Sequence, residues 1–461
     1  PISGVGSTYT LGRWFLGYAG LITSMFDLPW VNGAFSLFYI SIVVILLTEM
    51  FEIKNKGMIV LCAAIFVSFP TVVSSFAYMY TADAYLLAFL LATLAVYLTW
   101  CVKKWGTIAG MVCLAFAMGI YQAYATVAIV LVLLYIIRQF VIEKLDFLEA
   151  VRKDLKYLGM LVGGAVLYAV ILKITLIRYN ITLPGYQGIG ALGIMSLGQY
   201  KAALQKTLYH FRLILGMEHG VEKHVYSLLN AAALLLIGLI LIYLLVRNQV
   251  YKKKMSMLAS IAAVCLIPVG AYFINFTSPD VQYYTLMEMA VCLIYLLMII
   301  MLLQLDWKTW ISKILKGCGI FVLCGLVYYN VINCNIAYFN MNLSYHKSIS
   351  IAEDVLQRIE QMDEFQNQHD KVVIMGDYNC ATENLQIMMP SIMGISNDSF
   401  LNDSYHYTII WNYCFGVQME QASYDEMMEI VETDEYKNMS VYPLKGCVEY
   451  INGIIVVKMQ E

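Results

Sequence analysis

Apolar stretches that are long enough, or nearly long enough, to cross a bilayer recur along the chain from residue 31 to residue 332. A helix of about 20 apolar residues covers the hydrocarbon core of a membrane, so this pattern predicts about ten membrane-spanning helices. We place them at residues 31–50, 57–76, 82–101, 106–119, 120–137, 155–176, 226–246, 256–276, 283–304 and 313–332. The predicted fold class is an all-α polytopic membrane bundle.

Lysine and arginine residues gather in every second connection between these spans. Cytoplasmic loops carry an excess of these residues, so the basic connections are assigned to the cytoplasm. The opposite set comprises residues 1–30, 77–81, 177–225, 277–282 and the chain after 332. Because Pro1 is not a methionine and no signal peptide precedes it, we expect a truncated chain that lacks at least one upstream span.

The composition is that of a membrane protein, and it argues against nucleic-acid binding and against a cysteine-based zinc site. Hydrophobic residues make up 61% of the 461 residues and charged residues 13%, against roughly 25% charge in soluble domains. The net charge of −3 and the position of the basic residues in cytoplasmic loops argue against nucleic-acid binding. Only four of the eleven cysteines lie outside the spans, namely Cys334, Cys380, Cys414 and Cys447. Their spacing fits neither a zinc site nor a CxxC pair, and one disulfide is compatible with it but not required.

Two stretches on the outer side have the periodicity of amphipathic helices. The first lies near residues 10–26, with apolar positions Leu11, Trp14, Phe15, Tyr18, Leu21, Ile22 and Met25. The second lies near residues 196–216, with Leu197, Tyr200, Leu204, Leu208, Phe211 and Leu215. Such helices lie in the membrane interface, where they either flank a substrate cavity or only shield the loops.

Several acids and polar residues accompany these helices on the outer side. The candidates are Asp27, Asp83, His210, Arg212, Glu218, His219 and Asp280. Asp83 starts a predicted span, where an acid is either a helix cap or a catalytic group. Glu288 is predicted about one and a half turns inside its span, where an ionised group needs a partner or water. Lys173 is one candidate partner, although a lysine near a span end more often reaches for lipid phosphate.

Composition changes after residue 334, which divides the chain into a membrane domain, 1–334, and a C-terminal domain, 335–461. Residues 355–362 have a helical apolar stripe, residues 372–375 read as a buried strand, Ser423 and Glu426 form a capping box, and Asn452-Gly453 predicts a hairpin turn. We expect a small extracytoplasmic α/β domain. Its aromatic residues Tyr407, Trp411 and Tyr413 either stack on sugars or pack in the core.

No nucleotide-binding, zinc-hydrolase or serine-hydrolase motif occurs in the sequence. The strings LGRWFLGYAG, SFAYMYTADAYLLAFLLATLAVYL and GIYQAYATVAIVLVLL, with NLSYHKSISIAEDVLQRIEQMD in the tail, resemble the bacterial type II glucosyltransferase family, which glucosylates O antigen and related polymers. The resemblance implies a GT-C type architecture and a polyprenyl-phosphate sugar donor. It also implies an essential acid in the first outer loop, which is mostly absent here.

The resemblance carries over to six positions. These are Arg13 and Trp14 in Gly-Arg-Trp, Asp83 and Tyr85 in Ala-Asp-x-Tyr, and Tyr121 and Gln122 in Tyr-Gln. Glycosyl transfer from a lipid phosphate needs a base for the acceptor hydroxyl and a cation for the departing phosphate. We expect Asp83, with Asp27 as the second candidate, to act as the base, and Arg13 to hold the phosphate. Alternatively, Arg13 binds ordinary lipid headgroups, and Tyr121 and Gln122 only satisfy backbone groups at a turn.

The leading hypothesis is a membrane glycosyltransferase of the bacterial cytoplasmic membrane. It would move a hexose, glucose by the resemblance, from a polyprenyl-phosphate donor to an extracytoplasmic polysaccharide or lipid-linked glycan. No motif indicates a cofactor, and a divalent cation is compatible with the chemistry without being required. The alternatives are a polytopic transporter or flippase and a polysaccharide polymerase. A transporter usually shows paired broken helices in matching halves, and no internal repeat is present here.

Overall fold

The structure is a computed structural model that describes residues 6–24, 26, 28–183, 195–216, 223–366, 370–376, 401 and 403–460. The chain divides into two compact units with a boundary between Cys334 and Asn335. The α-helices that begin in the first unit are α1 (Gly6–Tyr9), α2 (Leu16–Ala19), α3 (Pro29–Met50), α4 (Lys56–Ser68), α5 (Pro70–Phe76), α6 (Met79–Cys101), α7 (Gly106–Ile120), α8 (Ala125–Val141), α9 (Phe147–Tyr179), α10 (Leu197–Gly216), α11 (Lys223–Arg247), α12 (Lys254–Ala271), α13 (Leu293–Leu303) and α14 (Trp310–Glu360).

Seven of the described helices are long and apolar enough to cross a membrane, and the bent pair α4 and α5 makes an eighth. Among the described residues, up to eight spans therefore meet the length criterion, fewer than the ten that the sequence predicts. Pro70 begins α5 after a bend of 43°, because proline cannot continue the hydrogen-bond ladder of the preceding helix. Two further predicted spans correspond to apolar helices of 10–17 residues, Gly106–Ile120 and Met289–Leu303. Each of the ten predicted spans thus corresponds to helical structure, but these two helices are too short to cross a membrane by themselves.

The bundle is built around α6, which packs against α3 on one side and α7 on the other, and α7 packs in turn against α9. α8 packs against α12. Arg138, near the end of α8, pairs with Glu52 at 2.8 Å and with Glu143 at 3.2 Å. These ion pairs join two of the connections that the sequence assigns to the cytoplasm.

The prediction of one continuous amphipathic helix at 10–26 is wrong for the residues that the structure describes. Residues 10–15 form turns between α1 and α2, and a 3-10 helix follows at Gly20–Thr23. Gly12 has φ +70°, a left-handed conformation that ends regular helix, and Trp14 is buried instead of anchoring the chain in the interface.

The second predicted amphipathic helix matches α10, which spans Leu197–Gly216. Leu197, Leu204 and Leu208 on α10 are exposed. Lys206 and Thr207 instead face the protein, where Lys206 donates to the Val281 carbonyl and Thr207 accepts from Asn275 at 3.1 Å. The exposed leucine side chains suit a helix that meets lipid on one side, although its place in the interface remains a prediction.

The second unit contains a four-stranded sheet with the order β2-β1-β4-β3. Its elements are β1 (Asp370–Met375), α15 (Ser404–Ile410), β2 (Met419–Gln421), α16 (Tyr424–Val431), α17 (Asp434–Asn438), β3 (Val448–Ile451) and β4 (Ile454–Lys458). β1 is parallel to β2 and β4, and β3 is antiparallel to β4. Val355 and Ile359 on α14 are buried against this sheet, as their periodicity predicts.

Local sequence signals in this unit are confirmed. Ser423 and Glu426 form the predicted capping box at the start of α16. Asn452 and Gly453 both have positive φ, as a type I′ turn requires, and they join β3 to β4. The ten cysteines that the structure describes are all free, whereas Cys380 lies outside the described residues.

The aromatic residues considered for sugar stacking separate into two groups. Tyr407 and Trp411 are core residues, and the Trp411 Nε1 donates to the Ala352 carbonyl at 2.7 Å. Trp411 is 0% exposed, whereas Tyr413 is 61% exposed. Sugar stacking by Tyr407 or Trp411 is therefore excluded by burial, and only Tyr413 presents its ring to solvent.

We predict that Trp411→Ala destabilises the protein by about 3–5 kcal/mol, because it leaves a cavity in a closed core and removes one hydrogen bond. Thermal unfolding of the purified full chain measures the effect. Tyr413→Ala is the matched control and should leave the melting temperature within about a degree, since surface substitutions change stability little. Equal melting temperatures for the two variants would contradict this description of the core.

Candidate functional site

Three parts of the chain meet at the side-chain amide of Gln122. Its Nε2 donates to the Leu11 carbonyl at 3.0 Å and to the Tyr168 hydroxyl at 2.9 Å. The Tyr168 hydroxyl in turn donates to the Gly12 carbonyl at 3.0 Å. A Cβ on Gly12 would lie 2.7 Å from Gln122 Nε2, so glycine is needed here for space as well as for its positive φ. The segment that carries Arg13 is therefore fixed to α9 and to the break between α7 and α8.

That break is the tight turn which the sequence predicts at Tyr121 and Gln122. α7 ends at Ile120, Tyr121 is extended, and a 3-10 helix follows at Gln122–Tyr124. The extended residue directs the Tyr121 ring towards Arg13 and Tyr85. Gln122 thus satisfies a backbone carbonyl, and both residues line a cavity, while a sugar-binding role for them stays a prediction.

Arg13 lies over the face of Tyr121, with its Cζ 4.4 Å from the ring centroid. Its Nη1 is 3.4 Å from the Tyr85 hydroxyl, and the rings of Tyr85 and Tyr121 are 5.3 Å apart. A guanidinium over an aromatic face gains a cation–π contact that helps to fix its position. Three residues carried over from the family resemblance are therefore brought together.

Arg13 and Tyr121 line a cavity of about 620 Å³ in the first unit. Its polar lining is confined to a few groups that include Arg13, Gln122 and Tyr168, and the rest is largely apolar. The apolar lining comes from α7, α8, α9 and the connection after α12, with Leu114, Met118, Ile129, Leu158, Leu161, Val162, Ala165, Phe273, Val281 and Met287. Such a mixture of apolar walls and a few convergent polar groups is typical of a ligand site.

Trp14 lies beside this site and not in the cavity wall. Its ring packs edge-on against Phe116 at 5.2 Å, and the neighbouring Phe15 N–H donates to the Gly119 carbonyl at 2.8 Å. Trp14 therefore holds the Arg13 segment against α7.

Asp83 lies in the second turn of α6, because this helix begins at Met79. It is consequently not the first-turn cap that the sequence allowed. Its side chain is 1% exposed and accepts from Asn32 Nδ2 at 3.3 Å and from Thr23 Oγ1 at 3.4 Å. These hydrogen bonds join α6 to α3 and to the 3-10 helix at Gly20–Thr23.

Glu288 occupies a second polar cluster. It lies between two 3-10 helices, Thr285–Met287 and Met289–Cys292, and not within a regular helix as predicted. Its carboxylate accepts from the Tyr272 hydroxyl at 2.7 Å, so the described partner is a phenol and not a cation. Lys173 is exposed on α9.

Aromatic rings connect Glu288 to α10. The rings of Tyr272 and Tyr283 are 4.8 Å apart, and His210 lies 6.1 Å from the first and 5.7 Å from the second. Burial lowers the pKa of His210, and the nearby Lys206 cation lowers it further. Asp280 is exposed in the connection after α12 and interacts with Lys206.

The remaining candidates are not part of these clusters. Arg212 is exposed on α10 and lines a different cavity. Asp27, Glu218 and His219 lie outside the described residues. Within the described ranges, no group of three or more His, Cys, Asp and Glu side chains is arranged to hold a metal ion.

Sequence reasoning missed Tyr168, which lines the cavity, and Tyr272 and Tyr283, which belong to the Glu288 cluster. A tyrosine within an apolar stretch is ordinary core material, so its residue type gives no signal. Tyr168 is 46 residues from its partner Gln122, and only the folded bundle shows the pair.

The family model described as Glucosyl transferase GtrII matches residues 2–287, which is more than half of the chain. The chain belongs to this glucosyltransferase family. The match includes Arg13, Asp83, Tyr85, Tyr121 and Gln122, and it confirms the resemblance seen in the sequence. No curated protein and no solved structure gives a significant match. A glucosyltransferase role and several apolar membrane-type helices are therefore shown for this member of the GtrII family.

The lowered pKa of His210 predicts a pH-dependent stability for this glucosyltransferase. The folded protein disfavours the charged imidazolium of His210. The contribution of neutral His210 to the free energy of unfolding is therefore complete above the pKa of the unfolded state, about 6.5, and is lost as the pH falls below that value. Between pH 7.5 and 5.5 the melting temperature of the wild type should fall more steeply than that of His210→Gln. His346→Gln, at an exposed position on α14, is the control. Equal slopes for the wild type and His210→Gln would refute the assignment.

Proposed function

We propose that this glucosyltransferase moves glucose from a polyprenyl-phosphate donor to an extracytoplasmic surface polysaccharide or lipid-linked glycan. The observation that carries the proposal is the largely apolar cavity of about 620 Å³ with Arg13 in its wall. A long hydrocarbon chain with a phosphate head matches both features. A water-soluble nucleotide sugar would leave the apolar walls without a partner.

The shape of the cavity supports a lipid donor. Its lining on α9 extends from Leu158 to Ala169, which is about 16 Å at about 1.5 Å per residue. Tyr168 and its partner Gln122 lie at the Ala169 end, close to the Arg13 segment. Leu158 and Val162 are 57% and 55% exposed on a helix apolar enough to span a membrane. The far end of the cavity is therefore bounded by side chains that would face lipid, which gives a prenyl chain a route from the bilayer.

Arg13 suits the phosphate of such a donor. Its guanidinium stays charged at any working pH and offers parallel N–H donors that match two phosphate oxygens. In the transfer, the acceptor oxygen forms the new bond to the anomeric carbon while the bond from that carbon to the phosphate oxygen breaks. The departing polyprenyl phosphate gains negative charge, and Arg13 would stabilise that charge where it develops.

The proposed side of the membrane rests on loop charge. The end of the cavity that holds Arg13 and Gln122 lies at connections assigned to the outside, whereas Arg138, Arg247 and Lys253 mark the opposite ends of the helices. We therefore propose that transfer occurs on the extracytoplasmic face of a bacterial cytoplasmic membrane. The family match favours this enzyme over the transporter or flippase alternative.

We predict that Arg13→Ala lowers kcat/KM for a synthetic polyprenyl-phosphate glucose donor by about 10²–10³-fold, as loss of one preorganised donor group typically does. Arg13→Lys should recover part of the rate, because it keeps the charge but loses the fork. Arg178→Ala, which removes an exposed arginine near the end of α9, is the control and should retain wild-type kinetics. Wild-type kinetics in Arg13→Ala would reject the phosphate role.

The base role of Asp83 remains a prediction, which Asp83→Asn tests. Asparagine keeps an oxygen for Asn32, and the Thr23 hydroxyl can accept from the new amide, so the fold should survive. We expect an unchanged melting temperature with turnover lowered at least about 10²-fold, since general-base catalysis contributes about 10²–10⁴-fold. Full turnover would reject Asp83 as the base. If both turnover and melting temperature fall, Asp83 serves only to hold the helices together through its hydrogen bonds.

A further inference from the structure

A further cavity, of about 1000 Å³, lies where the start of α9 meets the start of α12. Leu148, Arg152 and Lys153 line it from α9, and Met255 lines it from α12. None of the residues that line this cavity also lines the proposed donor cavity. The sequence assigns these ends of both helices to the cytoplasm, so the cavity lies at the opposite end of α9 from Arg13.

Three polar contacts fix the protein backbone at this cavity. Lys253, directly before α12, pairs with Asp146 at 2.9 Å and donates from Nζ to the Lys144 carbonyl at 2.8 Å. The Ser256 hydroxyl donates to the Leu145 carbonyl at 3.2 Å. The connection before α9 is therefore joined to the first turn of α12, and the two walls of the cavity are held together by the protein itself.

The charges around the cavity are unbalanced. Residues 143–156 and 252–254 contain seven basic and four acidic side chains, an excess of three positive charges. Both acids that line the cavity are paired, Asp146 with Lys253 at 2.9 Å and Glu149 with Lys153 at 2.8 Å. Arg152 is exposed, and within the described ranges its side chain has no hydrogen bond or ion pair. The cavity thus offers a guanidinium to an anion, whereas its carboxylates are both occupied.

Apolar side chains continue from the cavity along both helices. Leu148, Arg152 and Leu155 lie within about 60° of one another around α9, at about 100° per residue, and both leucines are exposed. Met255 and Leu258 lie about 60° apart on α12 and are also exposed. Arg152 precedes the predicted apolar stretch from residue 155 by about 4.5 Å of helix, which is within the headgroup layer of about 5–7 Å on each side of a bilayer.

We propose that this cavity binds the headgroup of an anionic glycerophospholipid. Arg152 would pair with the phosphate oxygens, while the acyl chains would lie against Leu155 and Leu258. Basic pockets between the ends of membrane helices bind such headgroups. A zwitterionic lipid also brings a phosphate, but its ammonium group would find both lining carboxylates already paired. The inference is independent of the proposed donor, because it concerns another ligand at the other end of α9.

Photo-crosslinking tests the assignment. The probe is phosphatidylglycerol with a diazirine in one acyl chain, present as a minor lipid in phosphatidylcholine nanodiscs that hold the full chain. We expect adducts at Leu155 and Leu258, with a yield that Arg152→Ala lowers at least about fivefold and Arg152→Lys lowers less. Lys313→Ala, which removes an exposed cation near the start of α14, is the control and should stay within about twofold of the wild type. Equal yields for Arg152→Ala and Lys313→Ala would overturn the proposal.

Competition identifies the headgroup that the cavity selects. Replacing part of the phosphatidylcholine by unlabelled phosphatidylglycerol should suppress these adducts, whereas an equal amount of phosphatidylethanolamine should not, nor should soluble glycerol phosphate. Equal suppression by phosphatidylethanolamine would show that the site does not select net charge, and suppression by glycerol phosphate would show a site for a soluble anion. Either result overturns the proposal. The assay needs no glucosyl transfer, so its outcome is separate from that of the donor proposal.

Discussion

The candidate donor site depends on the hydrogen bonds made by the Gln122 amide. Gln122 lies at the break between α7 and α8 and holds both the Leu11 carbonyl and the Tyr168 hydroxyl. Residues 10–15 form turns and not a regular helix, so bonds to other elements, which also include those at the Gly12 carbonyl and the Phe15 N–H, place the segment with Arg13. Gly12 supplies the space and the left-handed backbone that allow the approach. One amide thus fixes a cation at the end of an apolar cavity.

α10 both contacts the connection that follows α12 and presents apolar side chains outward. Its polar residues Lys206, Thr207 and His210 contact that connection, whereas Leu197, Leu204 and Leu208 are exposed. Exposed leucine side chains suit a protein whose surroundings are lipid. The cluster of Glu288, Tyr272 and Tyr283 packs against the same helix through His210.

Short-range signals in the sequence predict local structure well here. The capping box at Ser423 and the hairpin turn at Asn452 depend on neighbouring residues only, and both are confirmed. The apolar stripe at 10–26 fails because periodicity does not register the backbone conformation at Gly12. Arg13, Tyr121 and Gln122 could be selected from the sequence through short strings, but their mutual contacts could not. The Tyr272 partner of Glu288 was missed for the same reason, since it arises when 3-10 helices replace the expected regular helix.

Photo-crosslinking tests the central claim most directly, because it locates the donor chain without relying on activity. A polyprenyl phosphate with a diazirine in its isoprenoid chain would be irradiated with the full chain in nanodiscs, and the adducts mapped by mass spectrometry. The account predicts adducts on the α7 and α9 walls, at Leu114, Leu161 and Ala165, that unlabelled polyprenyl phosphate suppresses. Adducts that are spread over exposed helix faces such as Ile45 on α3, and that unlabelled lipid does not suppress, would contradict it.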